Sequence, residues 1–175
     1  MKSHGLTLLE LLVSTTIFCI ILAIGIPSFN KQISDTRTKT ATLALLDAIE
    51  TTRATAVFRN QQVILKATNK KWHEGWTLFI DKNSNDLLDS DDETLLVHSG
   101  LDVVLTQAKA PINSYVAFIG TGEGRQIGSK GKGGFLAGTI KICPVTKGEG
   151  YSLILSKGGR TRVAKLSLAE CDAIR

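Results

Sequence analysis

Arginine and lysine gather near the C-terminus in a pattern suited to binding phosphate. Two β-prone runs, Tyr151 to Lys157 and Arg160 to Leu166, flank Gly158-Gly159, which reads as a two-residue hairpin turn. That turn sets Lys157 opposite Arg160, Leu155 opposite Arg162, Leu153 opposite Ala164 and Tyr151 opposite Leu166. The apolar pairs make a core face and the cations crowd the tip. Like charges directly opposite one another destabilise a sheet, so Lys157 beside Arg160 brings no folding benefit and reads as a binding feature. Guanidinium groups make planar, multi-donor contacts with phosphate, and a mobile tip follows a nucleic-acid backbone without reading its bases. Lys165 adds to the same strand. A solvated basic turn is the plainer alternative.

Other chemistry is less complete. The glycine-rich run from Gly120 to Gly134 carries Arg125, Lys130 and Lys132, but Lys132 is followed by Gly133 instead of Ser or Thr, so it is no phosphate-binding loop of the strand-loop-helix kind. It reads as a mobile loop whose cations assist as auxiliary DNA contacts. Asp81, Asn83 and Asn85 alternate as in a calcium loop, with Asp92 at the twelfth position. Asp86 replaces the glycine that the sharp turn needs, and Asp92 is too short for the usual bidentate contact, so a hairpin loop bonding its own backbone is the expectation and no metal is assigned. His73 and His98 are separated by this acidic loop, and no nucleophile-base set stands at a motif spacing. No enzyme and no cofactor are expected.

Charge is unevenly spread along the 175 residues, which carry a net +5: residues 27–80 carry +4, 81–102 carry −6 and 120–175 carry +6. From Leu6 to Phe29 there are 24 residues with one charge, Glu10, enough to span about 30 Å of hydrocarbon as a helix. A cleaved signal peptide fits less well, because the run is long and ends in Pro27, Ser28, Phe29, Asn30 and Lys31 with no small-x-small site. A carboxylate among leucines costs roughly 2.5–3.5 kcal/mol at mid-membrane and implies a partner. No Lys or Arg lies between Lys2 and Lys31, so that partner comes from the N-terminus or from another molecule.

Beyond Pro27 the helix continues with Phe29, Ile33, Leu43, Leu46, Ile49 and Val57 as its apolar stripe, and Asn60 ends it. Eight short β-prone runs follow: Val63 to Ala67, Trp76 to Ile80, Leu95 to His98, Val103 to Thr106, Tyr115 to Ile119, Thr139 to Ile142, and the two of the basic hairpin. The expected fold is α+β, a long N-terminal helix packed on a small, meandering antiparallel sheet.

Gly5, Leu6, Thr7, Leu8, Leu9 and Glu10 resemble the cleavage motif of type IV prepilins and type II secretion pseudopilins, and Pro27 falls where that family has its helix-kinking proline. The run from Gly75 through Trp76 to Asp81, with the Asn/Asp-rich loop after it, resembles the GspH/FimT branch, and Gly159-Arg160-Thr161-Arg162 resembles the GRxR motif of FimT-like minor pilins, which is associated with DNA capture. The resemblance implies a leader at 1–5, a transmembrane helix at 6–29, an amphipathic helix at 30–60 and a β-rich domain at 61–175. It implies cleavage of the Gly5–Leu6 bond by an inner-membrane prepilin peptidase, methylation of Leu6 (where the family usually has phenylalanine), and neutralisation of a neighbouring subunit's terminal amine by Glu10. It places the chain in the bacterial inner membrane as a single-pass protein with its domain in the periplasm, then in a surface pilus. Cys19 lies in the membrane segment and Cys143 and Cys171 in a domain facing an oxidising compartment, so these two are expected to pair, as they often do in this branch. The function implied is a minor pilin that assembles with other pilin or pseudopilin subunits and binds double-stranded DNA non-specifically through Arg160, Arg162, Lys157 and Lys165. The alternative is an H-type minor pseudopilin of type II secretion without DNA binding.

Overall fold

The computed structural model describes residues 7–83, 85, 87–127 and 133–175, with the backbone alone at 24–28. One helix, α1 (Leu8–Arg59), runs for 52 residues, about 78 Å at 1.5 Å per residue. Thr7 caps its start, its hydroxyl accepting from the Glu10 N–H at 3.2 Å. Asn60 ends it, as expected, and does so in the left-handed conformation at φ 51°. Ser14, Thr15 and Thr16 donate to the carbonyls of Glu10, Leu11 and Leu12 at 2.8, 3.0 and 2.8 Å, so their hydroxyls are satisfied within the helix. Around them Leu8, Leu9, Ile17, Phe18 and Ile21 are all more than half exposed, a surface the domain does not cover. Among the described residues no helix is long and apolar enough to cross a membrane. Leu6 and the side chains of 24–28, which belong to the expected span, lie outside the described residues.

Of the expected stripe α1 buries only Ile49, with Leu46 partly buried against the core. Thr38, Ala41, Thr42, Leu45, Ala48, Ile49, Thr52 and Ala56 face the core, while Phe29, Ile33, Leu43 and Val57 are about half exposed or more. The buried threonines donate back to carbonyls one turn earlier, Thr42 to Thr38 at 2.8 Å and Thr52 to Ala48 at 2.6 Å, and so present only methyl groups. Small side chains let the helix sit close on the sheets, and that proximity outweighs the bulk of the larger apolar residues on the next face.

Eight strands fall at the eight expected runs: β1 (Val63–Ala67), β2 (Gly75–Ile80), β3 (Glu93–Ser99), β4 (Val104–Ala108), β5 (Tyr115–Phe118), β6 (Gly138–Pro144), β7 (Gly150–Leu155) and β8 (Thr161–Leu166). They form two four-stranded antiparallel sheets, ordered β3-β2-β1-β5 and β4-β6-β7-β8, where one meandering sheet was expected. The chain crosses to the second sheet for β4, returns for β5 beside β1, and crosses again. Val63, Leu65, Leu78, Ile80, Ile140, Ile142, Leu153 and Leu155 fill the single large core beneath α1. A short helix, α2 (Leu168–Asp172), starts at a Ser167/Glu170 capping box and carries Cys171 to Cys143 of β6. The expected disulfide is formed, with Cα atoms 5.5 Å apart. Cys19 is free and exposed.

Candidate nucleic-acid interface

The basic hairpin is built one residue out of the expected register. Gly150 pairs with Leu166, Tyr151 with Lys165, Ser152 with Ala164, Leu153 with Val163, Ile154 with Arg162 and Leu155 with Thr161. The turn is the cause. Ser156 N–H donates to the Arg160 carbonyl and Gly159 N–H to the Ser156 carbonyl, both at 2.9 Å, so Lys157, Gly158 and Gly159 form a three-residue loop with Gly159 left-handed at φ 79°. The Ser156 hydroxyl closes it, donating to the Arg160 carbonyl at 3.0 Å and accepting from the Arg160 N–H at 3.1 Å.

Three corrections follow. Lys157 lies in the loop and does not face Arg160. Strand alternation puts Arg162 and Ala164 on the outer face of β8, with Thr161, Val163 and Lys165 on the face toward the core, and Arg160 leads into the strand from the loop, bonded to Ser156. The tip is also seated, where a mobile one was expected. Gly159 is buried, and a methyl group there would fall 2.1 Å from the Gly122 carbonyl oxygen. That carbonyl accepts from Arg53 Nε of α1 at 3.0 Å. The helix, the 122 turn and the hairpin tip thus lock together, which fixes the backbone that carries Arg160.

Arg160, Arg162, Lys157 and Lys165 are all exposed. Among the described residues none of the four makes an ion pair, so their charges are open to a ligand. Lys141 joins them on the outer face of the same sheet, in the row Lys141–Ser152–Ala164. Arg53 and Lys141 were not singled out from sequence. Lys141 was legible from its alternation with Ile140 and Ile142; Arg53, 69 residues from Gly122, left no local signal. Arg125 is occupied otherwise: it pairs with Glu123 at 2.8 Å, donates to the Gly133 carbonyl at 3.3 Å and lies 4.5 Å over the Phe135 ring. Lys130 and Lys132 lie outside the described residues.

The acidic loop bonds itself. Asp81 accepts from Gln62 Nε2 at 3.2 Å and from Asn85 N–H at 3.2 Å, Asn83 Oδ1 accepts from Asn85 N–H at 3.0 Å, and Asp92 accepts from Lys82 N–H at 3.1 Å. The Asn83 amide, with the Asp91 N–H and the Asn85 amide, holds the Asp89 carboxyl below the usual range. Among the described residues no cluster of His, Cys, Asp or Glu is arranged to hold a metal. At the other end of the chain, Glu10 is exposed in the first turn of α1, and Gly5 and Leu6 lie outside the described residues.

His73 bridges the two sheets. Its Nδ1 lies 2.9 Å from Thr106 Oγ1 and accepts from the Thr106 N–H at 3.2 Å. Burial lowers its pKa from 6.5, against the pull of Glu74. Because the folded state resists protonation, this contribution is complete above the unfolded value of about 6.5 and is lost as pH falls through the lower folded value. Urea midpoints measured from pH 8 to pH 5 are expected to fall below pH 6.5, with a flatter profile in His73→Asn.

The sequence matches the family model of the type II transport protein GspH over residues 41–159 and that of the prokaryotic N-terminal methylation motif over residues 1–26. No curated protein matches the chain. Among solved structures, the type IV minor pilin FimU of Pseudomonas aeruginosa is similar at TM-score 0.56 and 18% identity, over 74% of this chain and 90% of its own. The minor pseudopilin EpsH from the type 2 secretion system of Vibrio cholerae is similar at TM-score 0.51 and 12% identity, over 73% and 96%. At these identities the likeness is one of fold.

Proposed function

The chain belongs to the GspH family, as a minor pilin or pseudopilin of a type IV pilus or type II secretion system, and on that premise we propose that it serves a type IV pilus and binds DNA during uptake. The observation that carries this is the Arg160 and Arg162 pair. Two guanidinium groups without an ion pair among the described residues stand at the start of an edge strand, at a tip immobilised by Gly159, Gly122 and Arg53. Holding the backbone in advance lowers the ordering cost of binding, and guanidinium forks suit phosphate oxygens. Lys157 and Lys141 extend the track on one side and Lys165 reaches round the edge. Nothing at the tip offers a shape for reading bases, so binding is non-specific.

In this reading the run 6–29 anchors the chain in the inner membrane with its domain in the periplasm, after a prepilin peptidase cuts at Gly5–Leu6. Glu10 then neutralises the terminal amine of a neighbouring subunit. The chain is a structural subunit and not an enzyme. A pseudopilin of type II secretion, the reading that the likeness to EpsH favours, shares the anchor and the fold but predicts no DNA binding.

With three or four phosphate contacts, the affinity for duplex DNA is expected to fall about 40- to 150-fold between 50 and 200 mM salt. Fluorescence anisotropy across that range measures it. Binding that is indifferent to salt would rule out the phosphate mechanism.

A further inference from the structure

Open sheet edges invite pairing with other chains, and proteins usually cover or charge them. Two four-stranded sheets have four edges: β3, β5, β4 and β8. Three are guarded. The backbone of β5 is met by the 124–125 segment, with Arg125 N–H donating to the Ala117 carbonyl at 3.0 Å. His73 covers β4 by accepting the Thr106 N–H. Strand β8 is guarded by charge alone, with Arg162 and Lys165 exposed, which repels another basic edge but admits an acidic one.

Among the described residues strand β3 has no such protection. Thr94, Leu95, Leu96 and Val97 are exposed in a row, Val97 at 70%, with no Lys, Arg or Pro from Glu93 to Ser99. Its one charged residue, Glu93, is paired with Arg59 and Lys82, both at 3.7 Å. An edge whose residues 94–97 are Thr, Leu, Leu and Val, all exposed, is a place where another strand adds. Just before it stands the acidic loop, with Asp89 and Asp91 exposed and Asp89 held ionised.

We propose that β3 is a docking edge for strand β8 of a second copy of this chain. The occupant is chosen by charge and by geometry. Asp89 and Asp91 are exposed in the loop beside β3, and Arg162 and Lys165 are exposed on β8, so the acidic loop complements the cations of β8. Val163 and Ala164 would meet the apolar row, and the stems of Arg162 and Lys165 would lie across it with their heads at the loop carboxylates. Two β3 edges pairing antiparallel would relate the copies by a two-fold axis normal to the sheet, turning their helices in opposite directions. Copies anchored in one membrane, as the proposed function requires, cannot dock that way. A β3-to-β8 contact is heterologous, so it repeats head to tail. Docking and DNA then compete for β8, and DNA reaches the copy whose β8 is uncovered.

The full chain in detergent micelles tests this by sedimentation velocity. The wild type is expected to associate, and more weakly as salt rises. Val97→Lys spoils one face and Arg162→Glu/Lys165→Glu the other; each alone is expected to associate at least tenfold more weakly, while a mixture of the two forms dimers through the remaining good faces. Asp91→Lys, at an exposed loop position, should weaken association in the same way if Val97→Lys proves unstable. A monomeric wild type, association that survives either variant, or a mixture that stays dissociated overturns the proposal. Val97→Lys keeps β8 intact and uncovered and is expected to bind DNA at least as tightly as the wild type, so failure here is distinguishable from failure of the DNA-binding reading.

Discussion

Replacing Gly159 by alanine is expected to destabilise the domain by about 2–4 kcal/mol, while alanine at the neighbouring Gly158 changes stability by less than about 0.5 kcal/mol. The two glycines look equivalent in sequence and are not. Gly158 is exposed, with nothing within 4 Å of an added methyl group. Gly159 has φ 79°, where a side chain costs about 1–2 kcal/mol, and its methyl group would meet the Gly122 carbonyl at 2.1 Å. Relief requires the tip to lift from the 122 turn, breaking the seat that Arg53 supports. Thermal melts should show a drop on the order of 10 °C for Gly159→Ala and almost none for Gly158→Ala. The same variant is expected to bind DNA more weakly with an unchanged salt slope, because it removes order and no charge. Equal stability of the two variants would mean that the tip is not seated.

Replacing Cys143 and Cys171 together by alanine is expected to cost about 3–4 kcal/mol, the chain-entropy value for the loop of 29 residues closed by a link 28 apart in sequence. The sulfurs are fully buried with Leu166, under the half-buried Ile174, in a small cluster separate from the main core. That cluster holds α2 to β6. Arg175 secures the same end of the chain, donating to the Pro144 carbonyl at 3.4 Å and the Thr146 carbonyl at 2.6 Å. Without the disulfide, α2 is expected to fray first while the β6-β7-β8 ladder persists. Urea titrations with and without reductant, beside the double variant, measure the loss; a midpoint that reductant leaves unmoved would contradict it.

Much of this architecture was legible because short strands bounded by Gly, Asn, Asp and Pro are local events. All eight strands and the stop at Asn60 carry their signals within a few residues. The misreadings lie where distant parts of the chain decide the outcome. Gly158-Gly159 reads locally as a two-residue turn, but the Ser156 hydroxyl and the Gly122 carbonyl favour a three-residue loop, and the register slips by one. Of the large apolar residues of α1 expected to form its buried stripe, Ile49 is buried and Leu46 partly so, whereas close packing on two sheets selects alanine and threonine at most other core positions. The division into two sheets depends on crossovers that no periodicity encodes. Within the site, Arg160 and Arg162 were visible as a motif, but their support from Arg53 and Gly122 was not.

The central claim is that Arg160 and Arg162 form the DNA site. An electrophoretic shift of labelled duplex DNA by the full chain in micelles, beside Arg160→Gln/Arg162→Gln, tests it most directly. The wild type is expected to bind at low salt and the double variant at least tenfold more weakly, with its circular dichroism unchanged. Equal binding by the two proteins, or none by the wild type, would contradict it.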